Sequence, residues 1–383
     1  MNQRITRDEL LRRGAAAGAL LSLPALFTAC VGGDDDSGGG DQELRQVLNF
    51  ANWPLYIDVD EGTMRRPTLD QFRQEEGIRV NYFEEINDNA EYFARVQGPL
   101  SQGESIGRDI FVFTDNSRFP GLLIGQGWVE PLDKDLIPNI ENLIAAQASP
   151  PFDPEREYSL PWQSGMTGIA WNESVTGPVE SIEQLLEDPA LKGKVTMLKE
   201  QADSVGLAIL ANGDDPTSVD DDVFGRAVDR IQAAVDSGQI RRFTGNDYAQ
   251  ALTSGDLAAS VAWSGDVIQL LADNPSLKWA VPRDGGMIWT DNMFVPAGGS
   301  APTASTYMNF VYRPDVAAKI AAYVNYVTPV RGAKEELAKS DPETANNPLI
   351  FPDDELLAQL RQYDSEALNN DDHITRWQQV LGQ

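Results

Sequence analysis

The run Asp109-Ile-Phe-Val-Phe113 limits the fold of this chain more than any other segment. Four apolar residues in a row, with helix-like stretches on either side, suit the middle of a parallel sheet covered on both faces. The neighbouring sequence agrees. Val47–Ala51 reads as a strand, Leu69–Glu76 as a helix stopped by Gly77, and Ile78–Phe83 as the next strand. Strand, helix, glycine and strand in that order make a βαβ unit. Asn89–Leu100 and Phe119–Gly127 continue as helices.

The alternation resumes further on. Ile182–Leu186 is helical, Lys194–Leu198 a strand, and Ser204–Ala211 a helix. Val223, Phe224, Ala227, Val228, Ile231 and Val235 form an apolar stripe at helical spacing over Val223–Ser237. Leu257–Trp263 and Met287–Val295 are strands, and Arg313–Val324 is a helix with Pro314 inside its first turn. No internal repeat is present. The class is α/β. After the N-terminal segment about 340 residues remain, more than one core holds comfortably, so two lobes are expected.

The first thirty residues read as a targeting signal. Arg4, Arg7, Arg12 and Arg13 precede the run Gly14–Leu26, which is apolar but too short and too rich in small residues to span a bilayer well. Leu26-Phe-Thr-Ala-Cys30 resembles a bacterial lipobox, with Phe27 its unusual member, and Cys30 is the single cysteine of the chain. Lipid attachment at Cys30 is therefore expected, and an intramolecular disulfide is excluded. Arg12-Arg13 points to twin-arginine export, with the general secretory route as the alternative. Residues 31–44, rich in glycine and aspartate, read as a flexible tether. The expected location is the outer face of the cytoplasmic membrane, in the periplasm or at the cell surface.

With 59 acidic against 30 basic residues the formal net charge is −29. Such a field repels nucleic acid and anionic headgroups and draws small cations. It equally serves solubility, so the charge names no ligand by itself.

In open α/β sheets ligands bind beyond the carboxyl ends of strands. At those places stand Trp53 and Tyr56; Thr114, Asp115 and Asn116; Glu200 and Asp203; Trp263, Ser264 and Asp266; and Trp289 with Asp291. Rings and acids recur from both halves of the chain. A protonated amine fits that chemistry: carboxylates accept its hydrogens, and ring faces attract its charge and cover its methylenes. Taken singly, Trp53, Trp263 and Trp289 are as suited to a core as to a ligand, and Glu200 and Asp203 read as a solvated helix start. Asp291 stands out as an acid inside an apolar strand. Trp128, Trp162 and Trp171 are read as core.

At these positions the chain resembles the spermidine/putrescine-binding components of bacterial ABC importers, a family of extracellular solute-binding proteins. The supports are Asn52-Trp-Pro-Leu-Tyr56, Pro151-Phe-Asp-Pro154 with Tyr158-Ser-Leu-Pro161, Gly285-Gly-Met-Ile-Trp-Thr-Asp291, Arg313-Pro-Asp-Val-Ala317 and Tyr326-Val-Thr-Pro329. The resemblance implies a two-lobed, type II periplasmic-binding fold with a mainly parallel sheet in each lobe and a hinge between them. It implies lobes of 45–165 plus 288–332 and of 166–287 plus 333–383. It also implies a monomer that captures a polyamine, without cofactor or bound metal, and hands it to permease subunits. Ligand-binding positions carried over are Trp53, Tyr56, Thr114, Asn116, Glu200, Asp203, Trp263, Trp289, Asp291 and Tyr326, with Asp291 the central amine acceptor. Two departures bear on specificity. Pro54-Leu55 stands where spermidine-binding members have Thr-Glu, and Asn116 where an aromatic is common, which favours a shorter diamine such as putrescine.

Other readings are weaker. The only histidine, His373, lies near the C-terminus and reads as solvated; no Gly-x-Ser-x-Gly elbow, metal cluster or P-loop is present. A carboxylate-only hydrolase pairing Glu200 with Asp291 stays open. The nearer rival is a binding protein of the same fold for a cationic amino acid, a quaternary amine or a metal complex. Asp214-Asp215 and Asp220–Asp222 lack the glycine and closing glutamate of a calcium loop.

Overall fold

A computed structural model describes residues 44–60, 62–86, 88–271 and 274–382. The export signal, Cys30 and nearly all of the tether lie outside the described residues.

Eleven strands form among the described residues: β1 Val47–Asn52, β2 Arg79–Glu84, β3 Ile110–Thr114, β4 Val129–Glu130, β5 Ser159–Asn172, β6 Val195–Leu198, β7 Ile240–Thr244, β8 Ala259–Trp263, β9 Leu277–Ala280, β10 Gly286–Pro296 and β11 Leu360–Arg361. The main path runs β2-β1-β3-β10-β5-β8-β6-β7. At one end β2, β1 and β3 are parallel, and at the other β8, β6 and β7 are parallel. Between them lie two long strands, β10 and β5, antiparallel to each other and to their outer neighbours. Each parallel set is thus closed by strands that both halves share, and the chain passes from one half to the other along them.

The apolar residues divide accordingly. One core gathers Leu48, Phe50, Phe111, Phe113, Trp162 and Phe294, and a second gathers Ile169, Met197, Phe224, Ile231, Val261 and Trp377. Burying each such side chain contributes about 1.5–3 kcal/mol. Two separate cores make two lobes. Trp162 and Trp171 are buried as expected, and Trp128 packs partly buried against the first core. Ala333, Leu337 and Ala345 also join the first core, whereas the expected boundary gave everything beyond residue 332 to the other lobe. Met166, Val327 and Leu360 form a small cluster where the segments cross.

Local chemistry sets the helix ends. Helix Pro67–Glu76 has proline at its start and ends at Gly77 with φ 73°. The Asp88 carboxylate accepts from the Glu91 N–H at the start of Asn89–Ser101, and that of Asp220 accepts from Val223 N–H at the start of Asp221–Asp236. Asp220 is thus used as a helix cap. His373 corrects the expectation of a solvated tail: it is 3% exposed, stacks on Phe224 at 3.9 Å, and holds Asp221 through Nε2 at 3.0 Å.

Candidate functional site

The wall of the first lobe is built at the ends of β1, β3 and β10. The chain leaves β1 at Asn52 and turns through Leu55, whose φ of 57° is left-handed, so that Trp53 and Tyr56 both reach the space between the lobes. In the ladder Asp291 of β10 lies opposite Thr114 of β3. The Tyr56 hydroxyl donates to Asp291 Oδ2 at 2.7 Å, and Thr114 Oγ1 donates to Oδ1 at 2.6 Å. Burial pushes the Asp291 carboxyl up to about 6, against the pull of these two donors. Burial and the Asp291 charge in turn raise the Tyr56 phenol well above its ordinary value, so it stays a donor.

The second lobe answers with acids of its own. Helix Gln201–Ala211 starts earlier than the expected Ser204, which puts Glu200 at its N-cap and Asp203 in its first turn. Asp203 is fully buried, not solvated. Its carboxylate accepts from Thr167 Oγ1 at 2.8 Å, from Trp263 Nε1 at 2.9 Å and, weakly, from Asn116 Nδ2 at 3.5 Å. Thr167 Oγ1 accepts in turn from Trp289 Nε1 at 3.0 Å, so one buried acid orients two indoles. Burial lifts Asp203 to about 6. Glu200, half-buried, rises to about 8 through burial and the charges of Asp88, Asp203 and Asp291, against the pull of the Lys199 charge. Asp266, in the first turn of helix Ser264–Leu271, accepts from Asn246 Nδ2 at 2.8 Å, Tyr248 OH at 2.9 Å and Tyr326 OH at 3.3 Å.

Rings line the floor. Trp289 meets Trp263 at 6.2 Å and Tyr326 at 5.7 Å, and Tyr326 meets Tyr56 edge-on at 5.3 Å. Two glycines make room for them. A Cβ on Gly165, opposite Trp289 in the ladder, would fall 2.3 Å from its ring, and one on Gly265 would fall 2.3 Å from the Tyr326 ring.

The space enclosed is about 810 Å³. Trp53, Tyr56, Thr114, Asn116, Glu200, Trp263, Trp289, Asp291 and Tyr326, nine of the ten expected residues, line it, and Asp203 lies behind its wall. Four acids, Glu200, Asp247, Asp266 and Asp291, face this space, and among the described residues no lysine, arginine or histidine does. Asp247 is paired with Arg242 at 3.0 Å, which leaves Glu200, Asp266 and Asp291 as acids that, beside ring faces, attract a cation and orient it by hydrogen bonds.

Sequence reasoning misses part of the second lobe's wall. Asp266 follows its strand but is not among the ten expected ligand positions, and Asn246, Gln250, Thr253 and Gln269 are not foreseen. Most of these follow β7, whose Arg241 and Arg242 interrupt the apolar pattern that marks the other strands. Strand β7 itself would have pointed to Asn246, just beyond its carboxyl end.

Known proteins agree with this geometry. A family model described as bacterial extracellular solute-binding protein matches residues 68–352. The chain is 25% identical over 345 residues to the spermidine/putrescine-binding periplasmic protein of Escherichia coli strain K12, covering 89% of this chain and 90% of that one. It is 27% identical over 337 residues to the putrescine-binding periplasmic protein of the same organism, covering 82% and 86%. Among solved structures, a spermidine/putrescine ABC transporter substrate-binding protein from Streptococcus pneumoniae superposes with a TM-score of 0.70 at 25% identity, covering 88% of this chain and all of that one. The two-lobed, type II periplasmic-binding fold expected from the resemblance is the fold observed. By its sequence, its two shared strands and its interlobe cleft, the chain belongs to the bacterial extracellular solute-binding proteins.

Proposed function

We propose that the chain captures a small polyamine, of the size of putrescine or spermidine, in the cleft between its lobes and delivers it to the permease of an ABC importer. The carrying observation is the wall itself: several ring faces and four acids, of which only Asp247 is paired with an arginine, with no basic residue among the described lining side chains. Asp291 accepts one ammonium group, its carboxylate held by Tyr56 and Thr114. Glu200 and Asp266 take the other amine from the second lobe. Trp53, Trp263, Trp289 and Tyr326 cover the methylenes, each cation–π contact adding about 0.5–2 kcal/mol. Asn116 lines the cleft, and Asp203 acts through the two indoles it holds. The lobes close around the neutralised acids along β5 and β10. In this reading the protein binds without turnover, is exported by the signal at residues 1–30, and is held at the membrane by a lipid on Cys30 with residues 31–44 as tether.

Calorimetric titration with putrescine, spermidine, spermine, arginine and choline tests the reading. One polyamine should bind 1:1, and Asp291→Ala should abolish the heat. Tight binding of arginine or choline instead would reassign the ligand, and heat from none of the five would leave the polyamine reading without support. Incubation with glycosides should give no hydrolysis; turnover lost in Glu200→Gln would favour the hydrolase.

A further inference from the structure

The strand that presents Asp291 is irregular at that point. Its pairing with β5 shifts register between Asp291 and Asn292, and such a bulge re-aims side chains while loosening the local ladder. Support comes from behind the strand. Asp115 takes both backbone groups of Thr290: its Oδ1 accepts from Thr290 N–H at 2.7 Å, and its own N–H donates to Thr290 O at 2.9 Å. Asn292 Nδ2 donates back to Thr290 O at 2.9 Å. Asn292 Oδ1 accepts from Arg156 Nη1 at 2.8 Å.

Arg156 is an unusual choice for this place. It is 4% exposed, and its φ of 51° is a left-handed conformation that glycine or asparagine adopts more readily. Its Nε and Nη2 both donate to Gln147 O, at 3.0 and 2.6 Å, and Nη1 also reaches Ser159 Oγ at 3.0 Å. All of these acceptors are neutral oxygens. The neighbouring acids are committed elsewhere: Asp153 accepts from Glu157 N–H, Tyr158 N–H and Ser159 Oγ, and Asp115 holds Thr290. The charges of Asp115 and Asp153 lie close enough to favour the guanidinium, yet every hydrogen bond it donates goes to a neutral oxygen. What it supplies is a rigid fork joining the segment at Gln147 to the bulge in β10.

We infer that Arg156 is a positioning residue for the cleft: its guanidinium fixes the Thr290–Asn292 bulge and thereby keeps the Asp291 carboxylate at Tyr56 and Thr114, turned towards the ligand. This rests on the reading that Asp291 takes an ammonium group. Arg156 touches no ligand and acts only through β10.

Two variants of the protein and two readouts test it. In Arg156→Met, affinity for the amine that the unaltered protein binds should fall roughly tenfold, the loss of a hydrogen bond from a charged donor. Asn292→Leu should do the same, and the double variant should lose no more than the worse single one. The second readout is the carboxyl-carbon NMR signal of Asp291 in the empty protein, identified by its loss in Asp291→Asn. It should move in both variants, which a general loosening elsewhere would not produce. Full affinity with an unmoved signal would overturn the inference, and so would losses that simply add. If Arg156→Met does not fold, Asn292→Leu decides. If the unaltered protein binds none of the amines, the proposed function fails on its own, and the Asp291 signal still decides whether Arg156 positions it.

Discussion

As isolated groups, Asp291 of the first lobe and Asp203 of its counterpart across the cleft are alike. Both are buried, both are satisfied by neutral donors, and both are pushed by burial to about 6. Their surroundings differ. Asp291 receives two hydroxyls from one lobe and faces the open space. Asp203 receives an indole from its own lobe, a hydroxyl from shared strand β5 and an amide from across the cleft, and lies behind the wall. A raised carboxyl therefore does not by itself identify a ligand contact. What distinguishes the two is whether the acid keeps a face for an outside cation or spends itself on orienting other side chains.

The sharpest way to break that comparison is to remove each charge while keeping its shape. Asp291→Asn should cost roughly 2–5 kcal/mol of binding free energy, as expected for deleting one partner of a desolvated charge pair. Asp203→Asn should cost about 1 kcal/mol, since it only loosens Trp263 and Trp289. Equal losses in titration calorimetry would mean that Asp203 also meets the ligand. Both variants should stabilise the empty protein at pH 8, by on the order of 1–3 kcal/mol, because each deletes a carboxylate that burial disfavours.

The pH dependence follows from the same groups. A folded carboxyl near 6 against an ordinary 3.8 holds its proton more tightly than the unfolded chain does. Its contribution to stability is complete below about 4 and is lost as the pH rises through 6. A cationic ligand needs the ionised form, so affinity should move the other way. It should grow through pH 6 with Asp291 and again towards pH 8 as Glu200 ionises. In melting curves recorded from pH 5 to 8.5, the gap between loaded and empty protein should widen, with Asp291 alone raising apparent affinity roughly tenfold. A gap that narrows with rising pH would place the binding energy elsewhere than on these acids.

What can be read from the sequence follows the same division between the lobes. In the first lobe β3 is an unbroken apolar run, and an acid inside the apolar strand that pairs with it, Asp291 of β10, is conspicuous. The shared strands and the second lobe hide their parts. Strand β5 has all fourteen residues buried, yet Pro161, Gly165 and Gly168 interrupt its sequence. Gly165 is required by the Trp289 ring above it, and Gly168 by Trp279 and the Ala280 carbonyl, neither of which a linear pattern reveals. Asp203 reads as a solvated helix start because the apolar pattern begins the helix three residues late, and its burial comes from distant partners, Thr167 and Trp263. The order in which strands are shared between the lobes depends on pairings across more than a hundred residues, such as Asp291 with Gln163.

A smaller effect tests the floor that both walls share. Gly265→Ala forces the Tyr326 ring to shift, since the new methyl would sit 2.3 Å from it. Tyr326 also donates to Asp266 and packs against Tyr56 and Trp289, so the shift should reach both walls. Overpacking costs typically 1–3 kcal/mol in stability, and affinity should fall about three- to tenfold if the ring covers the ligand. A stable variant with unchanged affinity would make Tyr326 a hinge residue rather than a ligand contact.

The smallest expected change concerns which amine fits. Leu55 lines the cleft on the first lobe, in a left-handed backbone that glycine would adopt with less strain. An apolar side chain there offers nothing to a third ammonium group, which argues for a diamine. Leu55→Glu supplies the missing acceptor, but it places a new charge near Glu84, whose Oε1 already accepts from Leu55 N–H and whose carboxylate pairs with Arg66 at 3.2 Å. That like-charge neighbour should keep the gain modest. The ratio of spermidine to putrescine affinity should rise about threefold, roughly 0.6–1 kcal/mol, as for a solvent-exposed ion pair. Because the change is read as a ratio in one variant, any loss of folding stability cancels. A ratio that stays flat would show that the ligand's far end turns instead towards Asp266 and the wall after β7, which would make the second lobe the one that selects length.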